Sequence, residues 1–509
     1  MQVPIEALQN VNANLYDLFE RHFPDAVEQP FLVVPNAPSI RYADLTAMSA
    51  RMAHALAGAG CKPGDRVAAQ VEKHWHVLAL YLACLRAGLV YLPLNTGYQK
   101  SELAYFFGDA KPRVIVCNND RLGVIAALAG DATVLTIEEL VDRAERCEAS
   151  FATVHRAADD LAAILYTSGT TGRSKGAMIT HRNLASNAVT LVDAWGFTRD
   201  DVLLHALPIY HVHGLFVATH CALIAGARMV WLPKFDAREV VPLLARATVM
   251  MGVPTFYTRL LSEPAFTRDA CSTIRLFVSG SAPLLAETFD AFRERTGHAI
   301  LERYGMTEAG MITSNPLEGA RVGGTVGTPL HGVEVRIADE SGAAAGPGTI
   351  GGVQVRGPNV FLGYWQMPEK TREEFTSDGF FKTGDVGEWV GEAPAKGYLR
   401  LVGRAKDLII TGGLNVYPKE IEERIDQMEG VLESAVVAMP DPDFGEAVAA
   451  VIVRKPGCTL SEADVIRRLK GEIASFKVPR RVVFEDALPR NAMGKVQKAL
   501  LRERVASSS

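Results

Sequence analysis

The 509-residue sequence predicts an α/β fold: a large N-terminal domain of parallel α/β subdomains plus a small β barrel or sheet, then a small α+β C-terminal domain. Three observations predict it. Strand-like and helix-like patterns alternate through two long blocks, which implies parallel sheets covered by helices. From about Gly324 to Leu401 the pattern changes to short β-type pieces punctuated by Gly and Pro. After Gly403 it changes again, into a compact unit of ordinary domain size. The division falls between 404 and 405, giving domains 1–404 and 405–509.

The elements follow in order. In the first block Val67–Val71 reads as a strand and Trp75–Ala87 as a helix, with further strands at Val90–Leu94, Arg113–Cys117 and Thr133–Thr136. The second block starts near the apolar run Leu161–Leu165 and repeats the pattern with Val202–Leu204, Arg228–Leu232, Thr248–Met251 and Arg275–Val278. The third has Val333–Ile337 and Gly352–Arg356. The last has helices Pro418–Met428 and Ser461–Ala474 and strands Glu433–Ala438, Ala447–Val453 and Arg481–Phe484.

Composition narrows the function. Hydrophobic residues are 48% and charged residues 22%, a globular balance, and a net charge of −5 without a basic block argues against nucleic acid as a partner. The longest uncharged apolar stretch, about Gly214–Ala227, is too short to span a bilayer, so no membrane is expected. The N-terminus lacks the pattern of a secretory signal. Seven scattered cysteines with no C-x-x-C pair argue for reduced thiols, a cytoplasmic setting and no cysteine zinc site.

The most informative segment is Tyr166–Gly176, Y-T-S-G-T-T-G-R-S-K-G. Thr167, Ser168, Gly169, Thr170, Thr171, Gly172 and Lys175 offer hydroxyls, backbone N–H groups and a cation to one anion, the chemistry of holding a polyphosphate. A flexible linker is the plain alternative, but it needs no Arg173 and Lys175 at fixed offsets. The P-loop pattern of nucleotide triphosphatases fails, because no Gly-Lys-Ser/Thr closes it.

Four further segments carry chemistry. Arg303–Glu308 sets a ring, a glycine, a hydroxyl and a carboxylate in sequence, suited to a base, a phosphate and a metal; alone it also reads as a turn into a helix capped by Thr307. Asp385, after Thr383-Gly384, suits two vicinal hydroxyls or an ordinary β-turn. Gly403–Asp407 followed by Ile409–Gly413 reads as a hinge or a linker. Lys495, after Gly494, is a lysine on a reaching loop or a solvated surface lysine.

With these motifs in this order, the chain resembles the adenylate-forming superfamily of acyl-CoA synthetases, nonribosomal-peptide adenylation domains and luciferases over nearly its whole length. Within it, Leu207–Gly214, Gly252–Arg259 and Val278–Pro283 resemble the malonyl-CoA synthetases. The resemblance implies ATP, Mg²⁺ and CoA as cofactor and co-substrates. It implies that Thr167–Lys175 holds the β- and γ-phosphates and that Gly280, Ser281, Ala282 and Tyr304 bound the adenine, within a nucleotide-binding stretch that includes Glu302, Arg303 and Gly305. Thr307 then meets the α-phosphate, Glu308 holds magnesium, and Asp385 with Arg404 grips the ribose. Lys495 stabilises the adenylation step, and the C-terminal domain is mobile about Lys406, bringing Gly412-Gly413 to line a pantetheine tunnel.

The implied reaction is ATP-dependent ligation of malonate to CoA through a malonyl-adenylate. The substrate reading rests on Arg259, an arginine in apolar company that a second carboxylate would pair, with His211, His213 and Ser279 as candidate neighbours, Met306 as a wall limiting acyl length, and His211 also a catalytic candidate. A helical pair with Glu263 is the alternative for Arg259. Other readings are a ligase for methylmalonate, a short-chain or an aryl acid, an adenylation enzyme loading a carrier protein, and a nucleotide-binding regulator. A lysine acetyltransferase acting on Lys495 is a further candidate partner.

Overall fold

The computed structural model describes residues 12–167, 174–339, 342–411, 414–441, 444–491 and 494–507. Among them are four sheets. A seven-stranded sheet runs Gly363–Tyr364, Lys175–Thr180, Leu161–Thr167, Val90–Pro93, Arg66–Gln70, Val114–Cys117, Thr133–Thr136. A nine-stranded sheet has at its centre Leu301–Met306, Leu276–Ser279, Val249–Gly252, Val202–His205 and Arg228–Trp231. The central strands are parallel and buried on both faces, which explains runs such as Val114-Ile-Val-Cys117 without polar alternation. The helix Trp75–Arg86 is apolar nearly all round because it is buried nearly all round.

The hairpin that carries the phosphate loop joins the first sheet, not the second. Leu161–Thr167 pairs antiparallel with Lys175–Thr180, and Ala163 meets Tyr91 of the parallel strand Val90–Pro93. Conversely Pro30–Val33, from the start of the chain, pairs in the second sheet with Arg228–Trp231. An apolar run identifies a buried strand; its neighbours are chosen by distant packing that no local pattern records.

The nine-stranded sheet builds the site at its C-terminal edge, where open α/β sheets place ligands. Its parallel registers, Gly252 with Ser279 and Ser279 with Glu302, bring the ends of three strands side by side. The apolar stretch around Gly214–Ala227 folds inside this part as a π-helical turn, His213–Thr219, running into the helix His220–Ala225. Among the described residues no helix is long and apolar enough to cross a membrane.

The third block is a four-stranded antiparallel sheet, Glu334–Ala338, Gly351–Arg356, Phe381–Trp389 and Leu399–Arg404. Beyond it a five-stranded sheet is built on the long antiparallel pair Val431–Asp441 and Gly445–Arg454. The helix Pro418–Asp426 packs on it, opened by a proline at its first turn, where no N–H is needed. The helix Glu462–Glu472 is started by a Ser461 cap reciprocated by Asp464. All seven cysteines are free.

Candidate active site

Tyr304 lies on the strand Leu301–Met306, which turns through 307–309 into Gly310–Ser314. The turn therefore opens a hairpin and not a helix. Gly305 is obligatory there, since a Cβ would lie 2.2 Å from the Gly310 carbonyl oxygen. The Tyr304 hydroxyl donates to Asp385 Oδ2 at 2.5 Å, and Arg404 Nε donates to Asp385 Oδ1 at 2.9 Å. Asp385 and Arg404 face each other across paired strands, and the Asp385 N–H donates to Thr383 Oγ1. Burial, then the Asp385 charge, pushes the Tyr304 phenol well up, while Asp385 raises Arg404. Ring, carboxylate and guanidinium form one rigid group, able to stack a base and accept from two ribose hydroxyls.

The phosphate end adjoins it. Glu308 Oε1 accepts from Thr167 Oγ1 at 3.1 Å and from the Tyr364 hydroxyl at 3.2 Å. Lys175 is buried, with its ammonium 4.2 Å from the Tyr364 ring centre and 3.5 Å from Glu374 Oε1. Both ends of the loop are tied to the helix Lys100–Ala110: Tyr166 donates to Asp109 and Tyr105 donates to the Ser174 carbonyl. Ser168, Gly169, Thr170, Thr171, Gly172 and Arg173, and likewise Gly412 and Gly413, lie outside the described residues.

Glu308 fits a magnesium ion of limited protein ligation. Among the described residues no three His, Cys, Asp or Glu side chains gather into a metal cage. One carboxylate with phosphate oxygens and water is an ordinary Mg²⁺ ligand set.

The acyl end differs in chemistry. Arg303 is buried, and its Nε and Nη2 have no hydrogen-bond partner. Its guanidinium occupies the space beside Gly280, where a Cβ would come within 2.4 Å. No carboxylate offsets it: burial lowers its pKa to about 10, and the groups that act the other way are Tyr257 and Cys221. Ser279 Oγ and His213 Nε2 beside it are also buried without partners. Ser281, held at φ +73°, places Oγ 3.3 Å from His213 Nδ1. His211 is neutral, its pKa pushed down to about 3 by burial and then by the Lys495 and Arg303 charges. Met306 and Thr307 are half-buried at the same hairpin.

Lys495 comes from the C-terminal part into the electrostatic reach of Arg404, Asp385, Glu308 and Arg303. The residue is exposed, yet surrounding protein, then the Arg404 charge, lowers its pKa. Gly494 beside it approaches Thr255 on the helix Pro254–Leu261. Lys406 is exposed on the short turn Ala405–Asp407.

Arg259 departs from its expected setting. It is exposed on the helix Pro254–Leu261, outside the apolar company its sequence neighbours suggest. Those neighbours, Tyr257 and Leu260, project from the buried face, so helical periodicity turns Arg259 outward. The ion pair with Glu263 is absent among the described residues. Sequence reasoning placed Arg303 with the nucleotide; the structure buries it beside Gly280 and within electrostatic reach of His213. That reasoning missed Tyr364, Glu374 and Thr383. The signal for Arg303 was the apolar run Ala299–Leu301 that leads into its strand; Tyr364 had none, because its strand pairs with Lys175–Thr180 far back in the chain.

An AMP-binding enzyme family model matches residues 19–365, and its C-terminal domain model matches 420–495. The chain belongs to the AMP-binding enzyme family. Among curated AMP-binding relatives, the malonate–CoA ligase ACSF3 of Mus musculus, named as mitochondrial, is 38% identical over 88% of this chain and 84% of its own. A feruloyl-CoA synthase of Amycolatopsis sp. is 34% identical over 92% of this chain and 96% of its own. The ATP-bound crystal structure of MatB from Rhodopseudomonas palustris is 55% identical, covers 97% of this chain and 99% of its own, and superposes with a TM-score of 0.94. The apo crystal structure of MatB, with the same identity and coverage, superposes at 0.83. At equal identity the difference is one of arrangement, and this chain is arranged more like the ATP-bound form.

Proposed function

We propose that the protein is an ATP-dependent malonate–CoA ligase, and the observation that carries it is Arg303. A buried guanidinium with free N–H groups and no acidic neighbour requires an anion. A dicarboxylate supplies one with a carboxylate to spare. One end pairs with Arg303, and the other attacks the α-phosphate of ATP, expelling pyrophosphate. The CoA thiolate then attacks the acyl-adenylate and AMP leaves.

In this reading Thr167, Lys175 and the loop between them hold the departing pyrophosphate, Asp385 and Arg404 the ribose, and Tyr304 the base. Lys495 neutralises charge at the reacting phosphate, with Thr307 beside it. Magnesium, bound through Glu308 and phosphate oxygens, supplies further neutralisation. Ser279, His211, His213 and Met306 wall the acyl pocket. Exposed Arg259 serves as an outer cation toward the second carboxylate. A boundary at 404/405 with Lys406 as hinge is supported by the change of sheet on either side of it. The seven free cysteines support a cytoplasmic setting. The exposure of Lys495 supports a lysine acetyltransferase as partner.

Pyrophosphate release over an acid panel tests the reading. Malonate should be the best substrate, ahead of methylmalonate and succinate, with acetate and benzoate near background. Equal turnover of acetate or benzoate would sink the dicarboxylate assignment, since Arg303 offers those acids nothing.

A further inference from the structure

Among its described residues, the loop that presents Lys495 packs Leu488 and Val496 into the C-terminal core and is tied by Arg490 to the C-terminal sheet. Within the loop, Asn491 closes a tight turn: its N–H donates to the Lys495 carbonyl at 2.9 Å, and its Oδ1 accepts from the Lys495 N–H at 3.0 Å. Gly494 sits at φ +75°, a conformation that side chains disfavour, and donates to the Asn491 carbonyl. These bonds give the loop its shape. A polar tie to the sheet comes from Arg490. Its Nη1 donates to the Gly494 carbonyl at 2.6 Å, one residue before the lysine, and its Nη2 donates to Glu433. Glu433 lies on Val431–Asp441, one of the two long strands of the C-terminal sheet. The planar fork thus ties the loop tip to the most regular element of that part, which a lysine's single ammonium cannot copy.

The same strand is braced on its other side. Ser434 donates to Asp426, and the Val436 N–H donates to Glu422, both on the helix Pro418–Asp426. Glu422 also accepts from Lys498 at 2.6 Å, on the helix that follows the loop. Strand, helix and the segment after the loop are thus cross-braced, and Arg490 joins the loop tip to them beside the packing of Leu488 and Val496.

We propose that Arg490, through Glu433, is a positioning residue for Lys495 in the adenylation half-reaction. The proposal rests on the ligase reading above. A misplacement of about 1 Å in a catalytic group costs on the order of 100-fold in rate, so a loosened loop shows in the step that needs the lysine. The step that forms the thioester uses the C-terminal part in another orientation and is indifferent to the tether.

The test uses the full-length protein in two assays: pyrophosphate release with malonate and ATP, and thioester formation from synthetic malonyl-adenylate and CoA. Arg490→Lys and Glu433→Gln should each slow the first by about 10- to 100-fold and leave the second within about twofold. Placed in a Lys495→Ala background, either change should cost nothing more, because the group being positioned is gone. Equal loss in both assays, additive loss in the Lys495→Ala background, or unchanged pyrophosphate release overturns the proposal. Retained thermal midpoints show that the variants fold. Wild-type protein inert with every acid of the panel overturns the ligase reading and this proposal together. Activity with an acid other than malonate overturns the substrate alone, and the tether is then measured on that acid.

Discussion

The two ends of the adenylation site are built on opposite terms. At the nucleotide end the polar groups satisfy one another: Tyr304 and Arg404 hold Asp385, and Thr167 and Tyr364 hold Glu308. At the acyl end they are stranded: Arg303 Nε and Nη2, Ser279 Oγ and His213 Nε2 have no partner. Preformed networks fix geometry before a ligand arrives, so binding loses little freedom there. Stranded groups cost stability and return it only when the right ligand fills them, so they discriminate. The nucleotide end is thus general to the chemistry, and the acyl end specific to the acid.

The comparison breaks or holds first at Arg303. Arg303→Met should lower kcat/KM for malonate by about 100- to 1,000-fold, the loss expected when one partner of a buried ion pair is removed. The same variant should be as stable as the parent or more so in urea, because an unneutralised buried charge has been replaced by an apolar chain. ATP binding, read by calorimetry, should be unaltered. A marked fall in stability would show that Arg303 has a protein partner and that the acyl end is not stranded.

Asp385→Asn tests the other end and should give the reverse profile. Removing the charge leaves Arg404 without its counter-ion, so stability falls. ATP affinity should weaken by about 10- to 100-fold, the worth of one or two charge-assisted hydrogen bonds. KM for malonate at saturating ATP should hardly move. Arg259→Ala comes next. An exposed cation is screened by water, so its loss should raise KM for malonate by no more than about tenfold, less at high salt. A loss as large as that of Arg303→Met would restore Arg259 as the main anchor of the second carboxylate.

The nucleotide end was far more legible in the sequence than the acyl end. Its residues occur as runs, Thr167–Lys175 and Tyr304–Glu308, or as a turn such as Thr383–Asp385, and their chemistry is readable without a partner. Their docking was not readable: Thr167 meets Glu308 only because the hairpin joins the first sheet and the strand Leu301–Met306 ends the second. The acyl end has single residues whose meaning depends on which way they face. Arg259 sits in an apolar stretch of sequence and projects from the exposed side of its helix, while Arg303 sits in a polar motif and is buried. Linear apolar company reports burial on a strand between two layers better than on a surface helix. The tether of Arg490 to Glu433 joins residues on either side of most of the C-terminal unit, beyond the reach of any local motif.

Glu302 places a pH dependence between the two ends. It precedes Arg303 and is buried; its Oε1 accepts from the Leu284 N–H at 3.2 Å, while Oε2 has no partner. Burial pushes its carboxyl up to about 7, against a lesser opposing pull from Lys419. Because the folded carboxyl holds its proton to a higher pH than the unfolded one, the folded state binds more protons between about pH 4.5 and 7. Stability contributed by this group is therefore full below that window and is lost as pH rises through it. A shift of this size corresponds to about 3 kcal/mol at most. Glu302→Gln should lessen the fall of the thermal midpoint between pH 5 and 7.5, leaving the part that Asp426, also pushed up to about 7 by burial, contributes, and should leave the malonate preference intact, since the side chain is satisfied from Leu284 and not from the acyl pocket. A midpoint that rises with pH in the parent protein but not in Glu302→Gln would mean that Glu302 is held ionised in the folded state.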